Sequence, residues 1–201
     1  MDIDMAAYVD HRARRQEIIL AAIKLFAQEG YQAVTFGMIS AHTGVARTVL
    51  YRYFRDKRQI FNSAIVELLS RIVKKHTEIV HSEASAAGRL AKICTAVVVM
   101  LFDNRQFLCV IIDYVMSMKR AGYDMSRRIK KLTFGIKRVI HTLLLLGVRQ
   151  GEFRRGIDAD AVTDILYAQF ESTVMRLAIT DDAVQSDVLE RIDEVLKGIG
   201  A

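Results

Sequence analysis

The sequence predicts an all-α protein of about nine helices, and three observations lead to that prediction. The 201 residues contain no proline, where average usage of roughly 5% would supply about ten. Because proline breaks helix interiors and is common in loops, its absence favours long helices joined by short turns. Apolar residues recur at the three- and four-residue spacing of a helix face along most of the chain. No segment shows a convincing strand pattern, so no sheet is expected.

The N-terminal quarter is predicted to hold three helices separated by glycines. An apolar stripe at helical spacing marks the first helix, and Gly30 follows it, as a glycine commonly does just past a helix end. Thr35 is suited to cap the N-terminus of a short second helix. Gly44 lies where a tight turn requires a positive φ before the third helix. The predicted ranges are 10–29, 36–43 and 46–52.

The remaining residues are predicted to form six further helices. Asp56, with Gln59 three residues later, is a variant of the capping box that opens a long helix. The two helices that follow are apolar on nearly all sides, which is typical of helices surrounded by others. The next is amphipathic, and Asp158 is suited to cap the one after it. The predicted ranges are 57–82, 88–103, 106–120, 124–147, 158–180 and 184–199. We therefore expect two domains, 1–56 and 57–201.

Composition and sequence pattern exclude several classes of protein. With 52% hydrophobic residues, most of the chain is too apolar to be disordered. The longest apolar run, Ala96–Phe102, is far shorter than the roughly 18 residues of a membrane-spanning helix. The N-terminus has no apolar signal core, and Cys94 and Cys109 match neither a metal-site spacing nor a disulfide framework. We expect a soluble cytoplasmic protein with no membrane partner, metal or cofactor.

The net charge of +6 is unevenly distributed along the chain. Nine Lys and Arg stand against three acidic residues in 11–60, twelve against three in 105–155, and three against ten in 156–201. Basic blocks of this kind favour a polyanionic partner such as nucleic acid. A solvated helix face gives the same pattern, so charge alone leaves the partner open.

Three short helices around one tight turn are the plan of a helix-turn-helix. Gly44 supplies the small residue of the turn, and apolar residues hold the two helices at a steep angle. The candidates for this apolar lock are Ile39, Val45, Leu50 and Phe54. Polar residues remain on or near the outward face of the third helix: Arg47, Thr48, Tyr51, Arg52 and Tyr53. A helix so placed enters the major groove, where arginine binds guanine edges while tyrosine hydroxyls and helix N-termini hold phosphates.

The same stretch resembles the DNA-binding domain of the TetR family of transcriptional regulators over roughly residues 12–61. Order and spacing agree without a gap at Arg15-Gln16-Glu17-Ile18-Ile19-Leu20-Ala21-Ala22, Leu25-Phe26, Gly30-Tyr31, Thr35-Phe36, Ile39, Gly44-Val45-Ala46, Leu50-Tyr51-Arg52-Tyr53-Phe54 and Lys57. A weaker resemblance, to the connector before the family's dimerisation helix, is carried by Gly151-Glu152-Phe153-Arg154 followed by Asp158. The resemblance implies a ligand-responsive regulator that binds a near-palindromic operator in double-stranded DNA, and a repressor is the first expectation. It also implies a homodimer formed through the last two helices.

Carried over residue by residue, the resemblance assigns DNA contacts to six side chains. Thr35 would hold a phosphate at the start of the second helix, and Arg47 and Thr48 would face bases or the adjoining backbone. Tyr51 and Tyr53 would hold phosphates from the third helix, and Lys57 from the start of the fourth. Thr48 stands where the family usually has a glycine or another small residue, so the operator sequence does not follow from the resemblance.

The C-terminal half is expected to bind an unknown small-molecule effector. Aromatic and flexible apolar side chains suit an apolar ligand site, although such residues are more often simply core. The candidates are Cys94, Met100, Phe107, Ile111, Tyr114, Met118, Tyr167 and Phe170. The basic helix 124–141 suggests an anionic ligand such as a fatty-acyl thioester, whereas Asp113 and Glu171 suggest a cationic one. The sequence leaves this choice open.

Two other functions compete with this interpretation. An enzyme is disfavoured because the chain has no glycine-rich phosphate loop, no metal-ligand spacing and no nucleophile elbow. A helical protein-interaction module without specific DNA binding is the alternative. It predicts no salt-dependent affinity for DNA, whereas a protein that binds phosphates must weaken steeply as salt rises.

Overall fold

A computed structural model of the protein describes residues 2–80 and 85–201, and this part of the chain consists of helices joined by turns and short loops. It contains nine α-helices, and α8 runs on into one π-helical turn, Arg176–Thr180. The helices are α1 (Asp2–Ala33), α2 (Phe36–Thr43), α3 (Arg47–Tyr53), α4 (Lys57–Val80), α5 (Ala86–Asp103), α6 (Arg105–Arg120), α7 (Ser126–Gln150), α8 (Ala159–Met175) and α9 (Gln185–Ile199). The all-α prediction is confirmed.

Helix boundaries agree with the predicted ranges at most positions. Helix α1 begins at Asp2 rather than near residue 10, and a non-helical φ of 76° at Gly30 interrupts it where the sequence predicts its end. The predicted end of the fourth helix, residues 81–82, lies outside the described residues. The predicted single helix 158–180 is instead α8 followed by the π-helical turn. That turn closes through a hydrogen bond of 2.8 Å from the N–H of Asp181 to the carbonyl of Arg176.

All three caps predicted from the sequence are present, and Thr35 caps α2 by accepting from the N–H of Met38. Asp56 Oδ1 accepts from the N–H of Gln59 at 2.7 Å, and Gln59 Oε1 accepts in return from the N–H of Arg55 at 2.7 Å. Asp158 Oδ1 accepts from the N–H groups of Asp160 and Ala161, both at 3.0 Å. The reciprocal pair at Asp56 and the two hydrogen bonds to Asp158 satisfy backbone N–H groups that have no acceptor within the helix at its N-terminus.

The core runs from the N-terminal helices into the larger C-terminal half. Helix α1 packs on α2, α4 and α6, and α5 packs on α4, α7 and α9. Helix α5 is therefore surrounded, as its nearly continuous apolar sequence predicts. No single described helix is long and apolar enough to cross a membrane; α5 and α6 meet that criterion only as a pair, which is bent by 81°.

The connector between α7 and α8 joins the ends of several helices. The Glu152 carboxylate accepts from the N–H groups of Ala86 and Ala87 at 3.2 and 2.7 Å, so it caps the start of α5. An isolated antiparallel bridge pairs Phe153 with Gly200 at the end of α9. The connector thereby fixes α5, α7 and α9 around the larger half of the core.

Candidate nucleic-acid interface and ligand cavity

Helices α2 and α3 form a helix-turn-helix because a glycine turn and buried apolar side chains join them. Gly44 adopts φ 68° and ψ 7°, a left-handed conformation that glycine adopts without steric cost. Ile39, Val45, Leu50 and Phe54, the four residues of the predicted lock, are all buried. Because these side chains point into the core, the opposite face of α3 is left to solvent.

Three predicted DNA-binding side chains lie on this exposed face. Arg47, Thr48 and Tyr51 are exposed. The Tyr51 ring stacks on Phe36, with centroids 4.5 Å apart and an interplanar angle of 11°, yet Tyr51 remains 58% exposed. The Arg47 guanidinium lies beside the first turn of α2, where a Cβ added to Gly37 would come within 3.4 Å of its Nη2. The structure thus gathers these side chains around the start of α2 and α3.

Two further predicted contacts also have partners within the fold. Thr35 Oγ1 accepts from the N–H of Met38 at 3.2 Å. A hydroxyl that accepts in this way still has its own O–H to donate, for example to a phosphate. Tyr53 is half-buried, and its hydroxyl lies 2.8 Å from Nδ1 of His11. This hydrogen bond joins the end of α3 to α1.

Lys57 is held inside the fold more tightly than its sequence position predicts. Its Nζ donates to the carbonyls of Tyr31 and Gln32 at 2.7 and 2.9 Å, and it lies 4.7 Å from the centroid of the Tyr31 ring. Burial lowers the pKa of Lys57. An ammonium has three N–H donors, so one is left for a phosphate after these two hydrogen bonds. Lys57 and Tyr53 are therefore attached to α1, whereas the other four predicted contacts surround α2 and the start of α3.

The larger half of the protein encloses an apolar cavity of about 410 Å³ between α4, α5, α6, α7 and α8. This volume lies within the roughly 300–1,000 Å³ of known small-molecule sites. Five of the eight predicted ligand residues line the cavity: Met100, Ile111, Tyr114, Tyr167 and Phe170.

The other three predicted ligand residues lie elsewhere. Cys94 lies one helical turn before Val97, which lines the cavity, but Cys94 is not part of the lining. Its side chain is fully buried, and burial raises the pKa of its thiol to about 12. Phe107 faces α4 instead, where its ring packs edge-on against Phe61 with centroids 5.6 Å apart. Met118 lines the opening of the cavity. Helical spacing alone does not separate a residue that faces a cavity from one that faces a neighbouring helix.

A wider opening of about 880 Å³ adjoins the cavity, and Leu69, Tyr114 and Leu132 line both. We call this opening the basic mouth and define it by Arg58, Arg127, Lys131, Tyr123 and Phe134. All five side chains are exposed. Arg127 and Lys131 belong to the basic helix 124–141 predicted from the sequence, whereas no sequence pattern singles out Arg58. Arg58 joins the lining of the basic mouth because α4 packs on α7.

One carboxylate accompanies these cations in the lining of the basic mouth. Asp124 accepts from the hydroxyl and the N–H of Ser126, and these hydrogen bonds lower the pKa of Asp124, so it stays ionised. Three cations against one carboxylate leave a positive balance at the opening. The mouth is therefore suited to an anionic group, with exposed aromatic rings beside it.

Polar groups also occur on the α7–α8 side of the cavity. Lys137 Nζ donates to Asp164 at 2.7 Å and lies 4.5 Å from the centroid of the Tyr167 ring. The hydrogen bond to Asp164 raises the pKa of Lys137, and burial raises that of Tyr167. Glu171 lines the cavity, whereas Asp113 is exposed on α6 and is not part of the lining. Among the described residues, no group of three His, Cys, Asp or Glu is placed to hold a metal ion.

Comparison with protein families matches almost the whole chain. The family described as bacterial regulatory proteins, tetR family, matches residues 18–64. The family described as the C-terminal region of YsiA-like protein matches residues 65–199. The boundary between the two matches falls within α4, about two turns beyond the basic mouth residue Arg58.

Individual regulators of transcription and metabolism are similar to this chain over nearly its full length. The fatty acid metabolism regulator protein of Bacillus subtilis is 22% identical over 184 residues, covering 89% of this chain and 93% of that protein. The crystal structure of FadR from Bacillus subtilis in complex with stearoyl-CoA covers 90% of this chain and 95% of its own, with 21% identity and a TM-score of 0.71. A TetR transcription regulator from Haloarcula marismortui covers 94% and 100%, with 18% identity and a TM-score of 0.80.

Proposed function

The chain belongs to the tetR family of bacterial regulatory proteins, and from that premise we propose its DNA contacts, its dimer and its effector. It is a ligand-responsive DNA-binding regulator of transcription. We assign it a near-palindromic operator bound by a homodimer, and release from that operator by a long-chain acyl-CoA. The observation that supports this effector is the apolar cavity that opens into the basic mouth.

The DNA contacts follow from the exposed face of α3. Arg47 and Thr48 at its N-terminal end contact base edges or the adjoining backbone, and Tyr51 holds a phosphate. Thr35 donates its hydroxyl to a phosphate at the start of α2. Tyr53 and Lys57 contact the DNA backbone from positions that α1 fixes.

The effector needs two chemical parts to satisfy the site. The cavity favours an aliphatic chain, because almost all of its wall is apolar and each buried CH2 stabilises binding by about 0.8 kcal/mol. The basic mouth favours phosphates, since Arg58, Arg127 and Lys131 surround it. Tyr123 and Phe134 offer exposed rings on which a purine base can stack. Acyl-CoA combines a chain, phosphates and a purine in one molecule.

The operator is tested by selecting random duplex DNA with the purified protein near physiological salt. We expect an inverted repeat, because a two-fold dimer presents two α3 helices to successive major grooves. Arg47→Ala is expected to cost about 1–3 kcal/mol and to relax the preference at one base pair in each half-site. Tyr51→Phe is expected to weaken binding to all sequences about equally. Binding that depends on salt but not on sequence would contradict the operator assignment.

The effector is tested by displacing the protein from the selected duplex with acyl-CoAs of increasing chain length. Each added CH2 is expected to lower the midpoint of release about fourfold until the cavity is full. Lys131→Gln removes a cation of the basic mouth and is expected to weaken the response to stearoyl-CoA. Lys130→Gln is the matched control, because Lys130 is exposed on the same helix and is not part of the mouth.

A cationic effector is the second candidate, because Glu171 lines the cavity. It predicts that a hydrophobic cation, rather than stearoyl-CoA, releases the protein from the operator, that Glu171→Gln abolishes this release, and that Lys131→Gln leaves it unchanged or strengthens it. Loss of the stearoyl-CoA response in Lys131→Gln together with a normal response in Glu171→Gln would exclude this candidate.

A further inference from the structure

A cluster of aromatic rings joins the cavity wall to the end of α1. We call the three central rings, Tyr31, Phe61 and Tyr114, the aromatic bridge. Tyr114, on α6, is buried and lines both the cavity and the basic mouth. Tyr31 directly follows Gly30, where α1 is interrupted. The bridge therefore begins at the ligand site and ends four residues before the cap of α2.

The rings of the bridge are in mutual contact. The centroids of Tyr31 and Tyr114 are 4.6 Å apart, and Phe61 on α4 lies 4.9 Å from each of them. All three pairs have tilted or edge-to-face geometry, with interplanar angles near 60°. Pairs in this arrangement attract one another beyond the area they bury. A displacement of Tyr114 therefore cannot leave Tyr31 in place without a loss of packing.

Lys57 connects the bridge to the backbone of the operator-binding half. Its Nζ donates to the carbonyls of Tyr31 and Gln32, and it lies against the Tyr31 ring. The same residue begins α4, directly after the loop that follows α3. A movement of Tyr31 thus changes the position of the α1 end relative to the start of α4.

We propose that the contact between Tyr114 and Tyr31 transmits occupancy of the cavity to the helix-turn-helix, with Lys57 as a positioning residue. The proposal rests on the proposed function for the presence of an effector in the cavity. An aliphatic chain placed against Tyr114 competes with the ring for space, and a close-packed interior transmits that displacement because few voids absorb it. The effector shifts the population only if it binds the displaced state more tightly than the operator-bound state.

The coupling is measured as the ratio of two dissociation constants of stearoyl-CoA, one for the operator-bound protein and one for the free protein. Ratios of about 5–150 are typical of allosteric coupling, and Tyr31→Leu is expected to reduce this ratio by at least about fivefold. Because Tyr31 is not part of the cavity lining, the affinity of the free protein for stearoyl-CoA is expected to change by less than about threefold. Tyr31→Phe keeps the ring and is expected to keep the ratio.

A second variant separates coupling from ligand binding. Phe170→Leu alters the cavity wall on α8, away from the bridge, and is expected to weaken stearoyl-CoA binding to both forms of the protein alike. Its ratio should therefore equal that of the wild type. Thermal melting of each variant establishes that a changed ratio comes from a folded protein.

A double-mutant cycle without effector tests the bridge independently of the ligand. Operator affinity is measured for the wild type, Tyr31→Leu, Tyr114→Leu and the double variant. If the bridge is correct, the fold-loss of operator affinity in the double variant differs by at least about threefold from the product of the fold-losses in the two single variants. Residues in contact typically show such coupling. The cycle of Tyr31→Leu with Phe170→Leu is expected to be multiplicative.

The outcomes distinguish the bridge from the effector assignment. A wild-type ratio in folded Tyr31→Leu overturns the bridge, and so does a multiplicative cycle between Tyr31 and Tyr114. If the wild type does not bind stearoyl-CoA, the effector assignment fails, and the cycle alone then supports or overturns the bridge.

Discussion

At the scale of single residues, Gly147 is a position where the packing leaves no room for a side chain. A Cβ added there would overlap the ring of Phe153, which is itself buried. Gly147→Ala is expected to destabilise the protein by about 1–3 kcal/mol, because the ring or the backbone of α7 must move. Gly198→Ala is the control: no atom lies within 4 Å of the added Cβ, and alanine in a helix is expected to stabilise by about 0.5–1 kcal/mol. Urea denaturation measures both changes in stability, and a wild-type midpoint for Gly147→Ala would contradict a close contact between Gly147 and Phe153.

Two neighbouring residues show what the sequence predicts at this scale and what it does not. Lys57 is predicted to face DNA from its place in a motif, and its position at the start of α4 is confirmed. Its hydrogen bonds to the Tyr31 and Gln32 carbonyls are not predictable from the sequence, because every residue has a backbone carbonyl and the residue type does not show which one accepts. Arg58 belongs to no motif, and it enters the basic mouth because α7 supplies the opposite wall. Local spacing predicts exposure well, but a partner distant in the chain requires the fold.

At the scale of helices, capping signals are the most reliable part of the sequence interpretation. Asp56 and Asp158 each begin a helix at the predicted place, since a side-chain oxygen beside free N–H groups is a local interaction. The π-helical turn after α8 is not predicted. Its apolar and polar residues continue the α8 pattern, and the wider turn becomes recognisable only from the i to i+5 hydrogen bond at Asp181. Features set by chain neighbours are therefore predictable, whereas a change of helix type is not.

The cap of α8 gives a prediction at this scale. Asp158→Ala removes the oxygen that accepts from the N–H groups of Asp160 and Ala161. The expected loss is about 0.5–2 kcal/mol of the free energy of unfolding. Asp158→Asn keeps an acceptor of similar shape and is expected to retain most of the stability. Equal destabilisation by both changes would show that the charge near the helix N-terminus, rather than the hydrogen bonds, is the stabilising factor.

At the scale of the whole molecule, the two candidate sites differ in how far the sequence predicts them. The helix-turn-helix is built from about 20 consecutive residues whose spacing is constrained by one tight turn, so the sequence predicts most of it. The cavity is built from five helices, and its wall and the ordinary core draw on the same residue types. Cys94 and Phe107 illustrate the consequence, because both fit the composition of a ligand site but lie in the core. The separation of the apolar cavity from the basic mouth likewise emerges only when α4 and α7 are assembled.

The proposed dimer gives the last prediction, because α8 and the π-helical turn after it carry an exposed apolar stripe. The exposed residues of this stripe are Ile165, Ala168, Ser172, Met175 and Ile179, and Ile179 is 67% exposed. We expect the protein to sediment at twice the mass of the chain. We expect the double variant Ile165→Glu with Ile179→Glu to sediment as a monomer, because pairing would bury carboxylates without partners.

Operator affinity is expected to fall with the dimer by about a hundredfold or more, since the two half-sites are then bound independently. Leu145→Glu places the same charge at an exposed leucine of α7 and is expected to leave both mass and affinity unchanged. Sedimentation and operator titration on the same samples link the two results. A dimeric double variant with normal affinity would place the interface elsewhere, whereas a monomer with normal affinity would contradict the two-fold model of operator binding.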